Sequence, residues 1–349
     1  MTKDTMGRRV GVLLGMTSVA GLAAGCENAS DEPTEHVAEG EAALCAPAIG
    51  TGDSGPFTFT DNAGFSYDYY VYVPPTYDDC NGEFPLVLAF HGAGGTAAAF
   101  SAKSHQQMLR THADTVGAVI IWVDSGTPLH QWNAGFCCNN RDHVAMVDEL
   151  VAYTQSRLRI DPDRIHAVGF SNGGMFAQHL AASLPNVFAS VASVAGASGM
   201  FTPVSYPPPC WDPYDLACWS HETTWGTLPP PASDVAVFMV RGSNDNIVPV
   251  NGIPALPLVL FHPAVTNPAM AGESDFELWS SATGCTTTSV QTFAGVGDHH
   301  LCQGGGRKVR HDIVFNMAHF WPTDDPADPN FANYDGPGQV AQFLWNNPK

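Results

Sequence analysis

Five runs of nearly continuous apolar residues recur between residues 84 and 243. They are rich in Val, Ile, Leu, Phe and Ala and are bounded by polar or glycine-containing segments. Runs of this kind are typical of parallel strands that are buried on both faces of a sheet. The predicted strands are residues 84–92, 118–126, 164–170, 187–196 and 235–243.

Segments with apolar residues at helical spacing separate and follow these strands. Strands that alternate with helices require right-handed crossovers, which place helices on both faces of a mostly parallel sheet. We therefore predict one α/β domain over about residues 45–349. The predicted helices are residues 97–113, 142–158, 174–184, 273–284 and 337–347.

Three segments depart from this alternation. Residues 54–77 alternate aromatic or β-branched residues with polar ones around a turn at residues 61–64, which predicts an antiparallel hairpin. Residues 201–232 and 249–272 are rich in proline and aromatic residues and are predicted to be ordered loop insertions. Ligands bind near strand ends in such sheets, so we expect both loops to lie near the active site.

The first 25 residues have the features of an export signal. A start with three basic residues precedes a short apolar stretch that ends in small residues. The sequence LAAGC resembles a bacterial lipobox and predicts a lipid on Cys26, with ordinary signal cleavage as the alternative. Residues 26–44 hold six carboxylates and no lysine or arginine, and are predicted to form a flexible tether.

The chain is strongly acidic, with a formal net charge of −20. Residues 1–25 contain three basic side chains and one acidic side chain, so their removal would leave −22. Such a surface repels the phosphates of nucleic acids and of anionic lipids. We therefore predict no nucleic-acid partner, membrane contact only through the lipid anchor, and a monomer that is secreted or attached to the cell envelope.

Eight cysteines remain if Cys26 carries a lipid. An even number of cysteines in an exported chain predicts up to four disulfide bonds. Adjacent Cys137 and Cys138 would form a strained ring if they paired with each other, and each could instead pair elsewhere. The short-range candidate pairs are Cys285–Cys302 and Cys210–Cys218.

The sequence Gly169-Phe170-Ser171-Asn172-Gly173 lies between a predicted strand and a predicted helix. It matches the G-x-S-x-G nucleophile elbow, in which a tight turn exposes a strained serine. Glycines flank the serine because the turn leaves no room for Cβ atoms. We predict that Ser171 is a catalytic nucleophile, with a glycine-rich packing turn as the alternative.

A serine nucleophile needs a histidine base and an acid that orients the histidine, and in this kind of sheet the chain order is serine, acid, histidine. Asp245 lies in the loop just beyond the strand at 235–243, where such an acid is found. His319 follows a later strand that is predicted to begin near Asp312. Asp312 is the second candidate acid, but it would face the wrong end of the sheet. A turn-capping role for Asp245 and a structural role for His319 are the alternatives.

The oxyanion of an ester-cleaving transition state needs hydrogen-bond donors. The glycine-containing loop at residues 90–95 follows an early strand, and we predict that the backbone N–H groups of Ala93 and Asn172 form the oxyanion hole. The histidines lack metal-ligand spacing, so we predict neither a metal nor another cofactor. Several tryptophans are candidate walls of an apolar acyl pocket, with packing in the core or in loops as the alternative. These are Trp132, Trp211, Trp219, Trp225 and Trp321.

Several sequence blocks around these candidates form a combined pattern. They are VPPTY, PLVLAFHGAGG, the pair WN followed by CC, IDPDRIHAVGFSNGGMFAQHLAASLPNVFASVASVAG, GSNDNIVP and MAHFWP. Together they resemble the polyhydroxybutyrate depolymerase family, which overlaps with the feruloyl and acetylxylan esterases of carbohydrate esterase family 1. The resemblance covers about residues 65–345. It implies an α/β-hydrolase fold and cofactor-free hydrolysis of carboxylic esters, with Ser171, Asp245 and His319 at the triad positions.

Three features depart from the patterns of particular subgroups. Ala93 stands after His91-Gly92, where the depolymerases often have cysteine, and no separate linker and polymer-binding domain is recognised after the catalytic one. Phe170 and Ala318 replace two cysteines that tie the nucleophile to the histidine in tannase-type feruloyl esterases, so that subgroup is not expected.

The sequence as a whole predicts an exported serine esterase. Its expected substrates are feruloyl or acetyl esters of plant polysaccharide, or short hydroxyalkanoate polyester oligomers. A polyhydroxybutyrate depolymerase proper and a surface lipoprotein that binds its ligand without catalysis are the alternatives.

Overall fold

A computed structural model of the chain describes residues 49–135, 138–139, 141–200, 234–252, 260–261, 264 and 274–349. The strands in these residues are β1 (Gly52–Thr60), β2 (Ser66–Val73), β3 (Phe84–Phe90), β4 (Val119–Val123), β5 (Ile160–Phe170), β6 (Ser190–Val194), β7 (Gly199–Met200), β8 (Ala236–Gly242), β9 (Leu260–Phe261), β10 (Thr287–Phe293), β11 (Gly297–Gln303) and β12 (Val309–Val314). The helices are α1 (Ala97–Ser101), α2 (Ser104–Asp114), α3 (His143–Gln155), α4 (Asn172–Ser183), α5 (Asp275–Ala282) and α6 (Gly336–Trp345).

The central sheet has the strand order β1-β2-β4-β3-β5-β6-β8-β12-β11-β10. Its six inner strands, from β4 to β12 in that order, run parallel to their neighbours. The β1–β2 hairpin joins antiparallel at one edge, and β10 and β11 join antiparallel at the other. This order is that of the α/β-hydrolase fold, so the predicted fold class is confirmed.

Helices cover both faces of this sheet, as predicted. The apolar cluster on one face includes residues of α3, α4 and α5, and the cluster on the other face includes residues of α1, α2 and α6. Successive residues of β3 belong to opposite clusters: Leu86, Leu88 and Phe90 to the first, Val87 and Ala89 to the second. A strand that is buried on both faces needs apolar residues at every position, which explains the continuous run in the sequence.

The structure differs from the predicted elements at several points, of which three concern the central sheet and its helices. The predicted helix at 97–113 is divided into α1 and α2. The strand that was expected to begin near Asp312 is β12, which already begins at Val309. Strands β10 and β11 were not predicted; every residue of β10 is exposed, and in β11 only Gly297 and Cys302 are buried, so neither shows a buried alternation.

The two predicted loop insertions lie largely outside the described residues. Residues 201–232 lie wholly outside, and of residues 249–272 only 249–252, 260–261 and 264 are described. Strand β9 lies within the second segment and pairs antiparallel with β7, which ends just before the first segment. In the described part of the chain, no helix is both long enough and apolar enough to cross a membrane.

The predicted disulfide between Cys285 and Cys302 is present, with the two Cα atoms 5.8 Å apart. It links the chain just after α5 to β11. Cys80 and Cys138 also take part in disulfide bonds. The other predicted pair, Cys210 with Cys218, lies outside the described residues, as does Cys137.

His105 in α2 is buried among aromatic rings. Its ring stacks on Trp321, with centroids 4.8 Å apart and an interplanar angle of 8°, and also contacts Phe100. Neither ring nitrogen makes a hydrogen bond to the described protein atoms. Burial lowers the pKa of His105 to about 4; Asp328 opposes this shift and Lys103 adds to it. His105 is therefore neutral in the folded protein at mildly acidic pH.

We expect His105→Phe to make the protein less sensitive to acid. An unfolded chain protonates this histidine near pH 6.5, whereas the folded chain does so only near pH 4. As the pH falls between these values, the unfolded state holds the extra proton and the free energy of unfolding drops by about 1.4 kcal/mol per pH unit. Phenylalanine keeps the stacked ring and removes the proton site.

Urea titrations at about pH 7.5 and about pH 5 measure this effect. On going to the lower pH, the wild type should lose about 2 kcal/mol more of its free energy of unfolding than His105→Phe does. Equal losses in the two proteins would contradict the expectation that His105 is neutral when folded.

Candidate active site

Three strands bring the predicted catalytic residues to one edge of the sheet. Ser171 directly follows β5, Asp245 lies three residues after β8, and His319 lies five residues after β12. Strands β5, β6, β8 and β12 are parallel neighbours, so their carboxyl ends meet at the same edge. The fold thus brings together side chains that are up to 148 residues apart in sequence.

The turn from β5 into α4 holds Ser171 in a strained conformation. Its φ is 53° and its ψ is −121°, a region that side-chain-bearing residues rarely adopt. Such strain costs on the order of 1–3 kcal/mol and is found mainly at functional sites. The Ser171 N–H donates to the carbonyl of Val194 at 2.8 Å, and the carbonyl of Ser171 accepts from the N–H of Met175 at 2.9 Å. These bonds fix the turn to β6 and to the first turn of α4.

Steric contacts explain both glycines of the elbow. A Cβ on Gly169 would lie 2.1 Å from the carbonyl oxygen of Gly173. A Cβ on Gly173 would lie 2.2 Å from the carbonyl oxygen of Phe90 and 2.5 Å from that of His91. Neither position accepts a side chain without displacing backbone, as the motif predicted.

Two hydrogen bonds connect the three predicted catalytic side chains. Nε2 of His319 lies 2.8 Å from Oγ of Ser171, and Nδ1 of His319 lies 2.8 Å from Oδ2 of Asp245. The other carboxylate oxygen of Asp245 accepts hydrogen bonds from the N–H groups of Ile247 and Val248, both at 2.8 Å. The carboxylate is therefore held in place, and it in turn orients the imidazole toward the serine.

Asp245 is buried and yet favours its ionised form. Burial alone would raise the pKa of this carboxyl group, but hydrogen bonds from His319, Val248 and Ile247 outweigh burial and lower the pKa below its usual value. A carboxylate at this position stabilises a positive charge on the neighbouring imidazole when the histidine takes up a proton.

Asp312, the second candidate acid, is engaged elsewhere. Its carboxylate pairs with the guanidinium of Arg310 and accepts the hydroxyl of Tyr334, and it lies 3.2 Å from Nδ1 of His299. His319 faces Asp245 instead. The position of Asp312 within β12 therefore serves packing between that strand and the segment leading into α6.

The loop after β3 packs directly against the elbow. A Cβ on Gly92 would lie 3.0 Å from the ring of Phe170 and 3.4 Å from Cβ of Ser171. Ala93 is the next residue of this loop, and Asn172 is the first residue of α4. The first N–H groups of a helix have no intrahelical acceptor and can donate to a ligand. The loop that carries Ala93 and the start of α4 thus lie beside Ser171, and the oxyanion role of their N–H groups stays a prediction.

Trp132 is not a wall of the substrate site, so that prediction is corrected. Its side chain is 0% exposed and stacks on the ring of Phe176, with centroids 5.0 Å apart. Its indole N–H donates to the carbonyl of His91, and its backbone N–H donates to Oδ1 of Asn172 at 2.7 Å. Nδ2 of Asn172 donates back to the carbonyl of Trp132 at 3.2 Å. Trp132 therefore joins the loop after β3 to the turn that holds Ser171.

Trp321 is also buried, which corrects a second pocket prediction. It is 1% exposed and stacks on His105, so the ring presents no surface to a substrate. Trp211, Trp219, Trp225 and Cys26 lie outside the described residues.

Two positioning roles were missed by sequence reasoning. The ring of Phe170 lies 5.2 Å from that of His319, so the residue before the nucleophile supports the histidine. The side-chain amide of Asn172 anchors the elbow, although only its backbone N–H was predicted to matter. The signal for both was their place beside Ser171 in the motif. Within the described residues, no three histidine, cysteine or carboxylate side chains are arranged to hold a metal ion.

Comparison with known proteins shows which family the chain matches. Residues 62–253, more than half of the chain, match the model of the Esterase family. Feruloyl esterase B of Piromyces equi is 28% identical over 225 residues, which are 63% of this chain and 37% of that protein. Acetylxylan esterase A of Aspergillus oryzae is 27% identical over 159 residues, which are 44% of this chain and 50% of that protein. The chain spans between about a third and about half of the length of the first curated relatives that it matches.

Among solved structures, the acetyl xylan esterase from Aspergillus awamori is 15% identical with a TM-score of 0.49, covering 76% of this chain and 94% of that one. The family match and the relatives confirm the predicted resemblance to feruloyl and acetylxylan esterases, while the resemblance to polyhydroxybutyrate depolymerases stays a prediction. The chain therefore belongs to the Esterase family.

Proposed function

We propose that the protein hydrolyses its ester substrate through an acyl-enzyme on Ser171, with His319 as the base and Asp245 as the acid that orients it. The observation that best supports this proposal is the continuous pair of 2.8 Å hydrogen bonds from Ser171 through His319 to Asp245. The strained backbone of Ser171 at a strand-to-helix turn adds to it.

In the first half-reaction, Oγ of Ser171 attacks the carbonyl carbon of the ester while Nε2 of His319 takes the hydroxyl proton. The tetrahedral intermediate expels the alcohol, which receives that proton from His319. In the second half-reaction, His319 takes a proton from water as the water attacks the acyl group. The carboxylic acid then leaves and Oγ of Ser171 regains its proton. Asp245 stays ionised and stabilises the imidazolium in both halves.

The negative oxygen of each tetrahedral intermediate would lie between the backbone N–H groups of Ala93 and Asn172. Removing one such donor in other serine hydrolases costs about 2.7–4 kcal/mol of transition-state stabilisation. The Asn172–Trp132–His91 contacts support this role, because they hold the two donor-bearing segments in a fixed relation.

We propose that the acyl groups are feruloyl or acetyl groups carried on a plant polysaccharide. Relatives named feruloyl esterase B and acetylxylan esterase A align with this chain and support that choice. Feruloyl and acetyl groups on a polysaccharide are each joined to a sugar hydroxyl by a carboxylic ester bond. One triad and one oxyanion hole can therefore serve either acyl group.

A substrate panel tests this proposal on the full chain. The panel holds acetylated xylan, methyl ferulate, hydroxybutyrate oligomers and p-nitrophenyl acetate, with the released acid quantified for each. We expect release of acetate from xylan or of ferulate from methyl ferulate at rates well above those on hydroxybutyrate oligomers.

Two other outcomes would change the assignment. Cleavage restricted to hydroxybutyrate oligomers would favour a polyhydroxybutyrate depolymerase. No turnover of any ester, together with a Ser171 that a fluorophosphonate does not label, would favour a binding lipoprotein.

We also propose that the chain is exported as a monomer and attached to the cell envelope by a lipid on Cys26. The basic start, apolar stretch and LAAGC sequence support this proposal. Mass spectrometry of the protein from its native cells tests it. The expected N-terminal peptide begins at a lipid-bearing Cys26, and a peptide that still contains residues 1–25 would refute it.

A further inference from the structure

A groove lies over strands β10, β11 and β12, which β6 and β8 separate from β5, the strand that leads into Ser171. Its volume is about 580 Å³, within the range of small-molecule sites. One wall comes from β10, β11 and β12, and the other comes from α6 and the residues just before it. Helix α6 packs over β8, where the rings of Phe343 and Phe238 lie 5.2 Å apart, so it leaves this face of the outer strands uncovered.

Amide side chains dominate the polar lining of the groove. Gln291 and Gln342 are exposed, and within the described residues their side chains make no hydrogen bond to protein. The hydroxyl of Ser289 and the ring of Phe293, which is 40% exposed, stand beside Gln291 on the same face of β10. The six amide residues are Gln291, Asn333, Gln339, Gln342, Asn346 and Asn347.

The charges of the lining nearly cancel. Arg310 is neutralised by Asp312, to which its Nε donates at 2.9 Å. The remaining charged side chains of the lining are Lys308 and Asp335, which are of opposite sign. A chain with net charge −20 repels anions, and this lining offers no excess of carboxylates to a cation.

A neutral ligand with many hydroxyl groups fits these features. Each primary amide offers two donors and an acceptor with two lone pairs, which match the donor and acceptor of a sugar hydroxyl. An exposed aromatic ring beside such amides accepts the apolar C–H face of a sugar ring. A purely apolar ligand would leave the amides without partners, at a cost in affinity.

One end of the groove lies at the catalytic edge of the sheet. Strand β11 pairs antiparallel with β12, so that Gly297 lies opposite Val314, the last residue before the loop that carries His319. Phe293 and Val296, at the start of this hairpin turn, therefore lie at the edge where the catalytic residues are. A chain-like ligand in the groove can extend toward that edge.

We propose that this groove binds an unesterified stretch of a neutral polysaccharide, separately from the catalytic site. The choice of a xylan as the polysaccharide rests on the proposed function, whereas the neutral glycan character rests on the groove itself. The site would hold the protein on its polymeric substrate while Ser171 acts on esters further along the chain.

Affinity electrophoresis in native gels tests the proposal with the full-length chain. The gels contain either neutral arabinoxylan, which bears no acetyl esters after alkaline treatment, or the anionic polymer polygalacturonate. The test protein is Gln291→Ala with Gln342→Ala, and the matched control is Val290→Ala, whose exposed side chain is on the opposite face of β10. Urea unfolding of each variant confirms that it is folded.

We expect arabinoxylan to retard the wild type and Val290→Ala equally, and to bind the double variant roughly tenfold more weakly because two hydrogen-bonding groups are lost. The ratio of kcat/KM on acetylated arabinoxylan to that on p-nitrophenyl acetate should fall in the double variant as well. Absence of retardation of the wild type, or equal retardation of the double variant, would overturn the proposal. Retardation by polygalacturonate alone would overturn the charge argument.

This design separates the groove from the proposed function. Retardation requires no ester, so it reports on the groove even if no polysaccharide ester is cleaved. Conversely, ester cleavage without retardation would support the proposed function and show that the groove does not bind the polysaccharide.

Discussion

Ser171→Ala should lower kcat/KM on p-nitrophenyl acetate by roughly 10⁴-fold or more, a loss of about 5.5 kcal/mol of transition-state stabilisation. Alanine has no oxygen with which to form the acyl-enzyme, and His319 loses the group from which it takes a proton. The backbone donors and substrate contacts remain, so some acceleration over water should persist. The fold should persist too, because alanine at a φ of 53° is about as strained as serine.

Ser183→Ala is the matched control for this experiment. Ser183 is the last residue of α4, the helix that begins at the elbow, so the same substitution is made far from the triad. Its kcat/KM should stay within about twofold of wild type. Steady-state kinetics on both variants, with the unfolding midpoint of each, gives the comparison. A Ser171→Ala protein that is folded and fully active would place the nucleophile elsewhere and remove the basis of the proposed mechanism.

The inner sheet was predictable because burial on both faces leaves a direct trace in the sequence. Strands such as β3 and β5 must present apolar residues to two cores, and few other structures need such runs. Strand β10 left no such trace. Its residues are all exposed, and its place in the sheet depends on pairing with β11 and on no hydrophobic pattern of its own.

The elbow was predictable for a different reason, namely that its geometry restricts residue type at several adjacent positions. Gly169 and Gly173 have no room for a side chain, so the sequence must show glycine there. The tryptophans carry no comparable restriction. Trp132 and Trp321 are large, and both a pocket wall and a core accept them, so composition could not say which way their rings face. Only the packing against Phe176 and His105 decides it.

Among the polar contacts near Asp245, the ion pair between Arg241 and Asp275 is the one whose loss we expect to destabilise the protein most. Arg241 lies in β8, Asp275 is the first residue of α5, and both side chains are fully buried. Nε of Arg241 donates to the carbonyl of Gly196 at 3.0 Å, and Asp275 accepts the N–H of Ser198 at 3.1 Å. Burial lowers the pKa of Arg241, and the negative charges of Asp275 and Asp245 oppose that shift. These contacts join β8, the strand that leads to Asp245, to the loop after β6.

Removing one partner of this pair should destabilise the protein more than removing both. Asp275→Asn leaves the charge of Arg241 buried, and Arg241→Met leaves that of Asp275, so each should lower the free energy of unfolding by about 3–5 kcal/mol. The double variant has neither charge and should lose clearly less than the sum of the two, which urea titrations of the four proteins would show. Strictly additive losses, or single losses below about 1 kcal/mol, would mean that the two charges do not depend on each other, and β8 would then hold Asp245 in place without them.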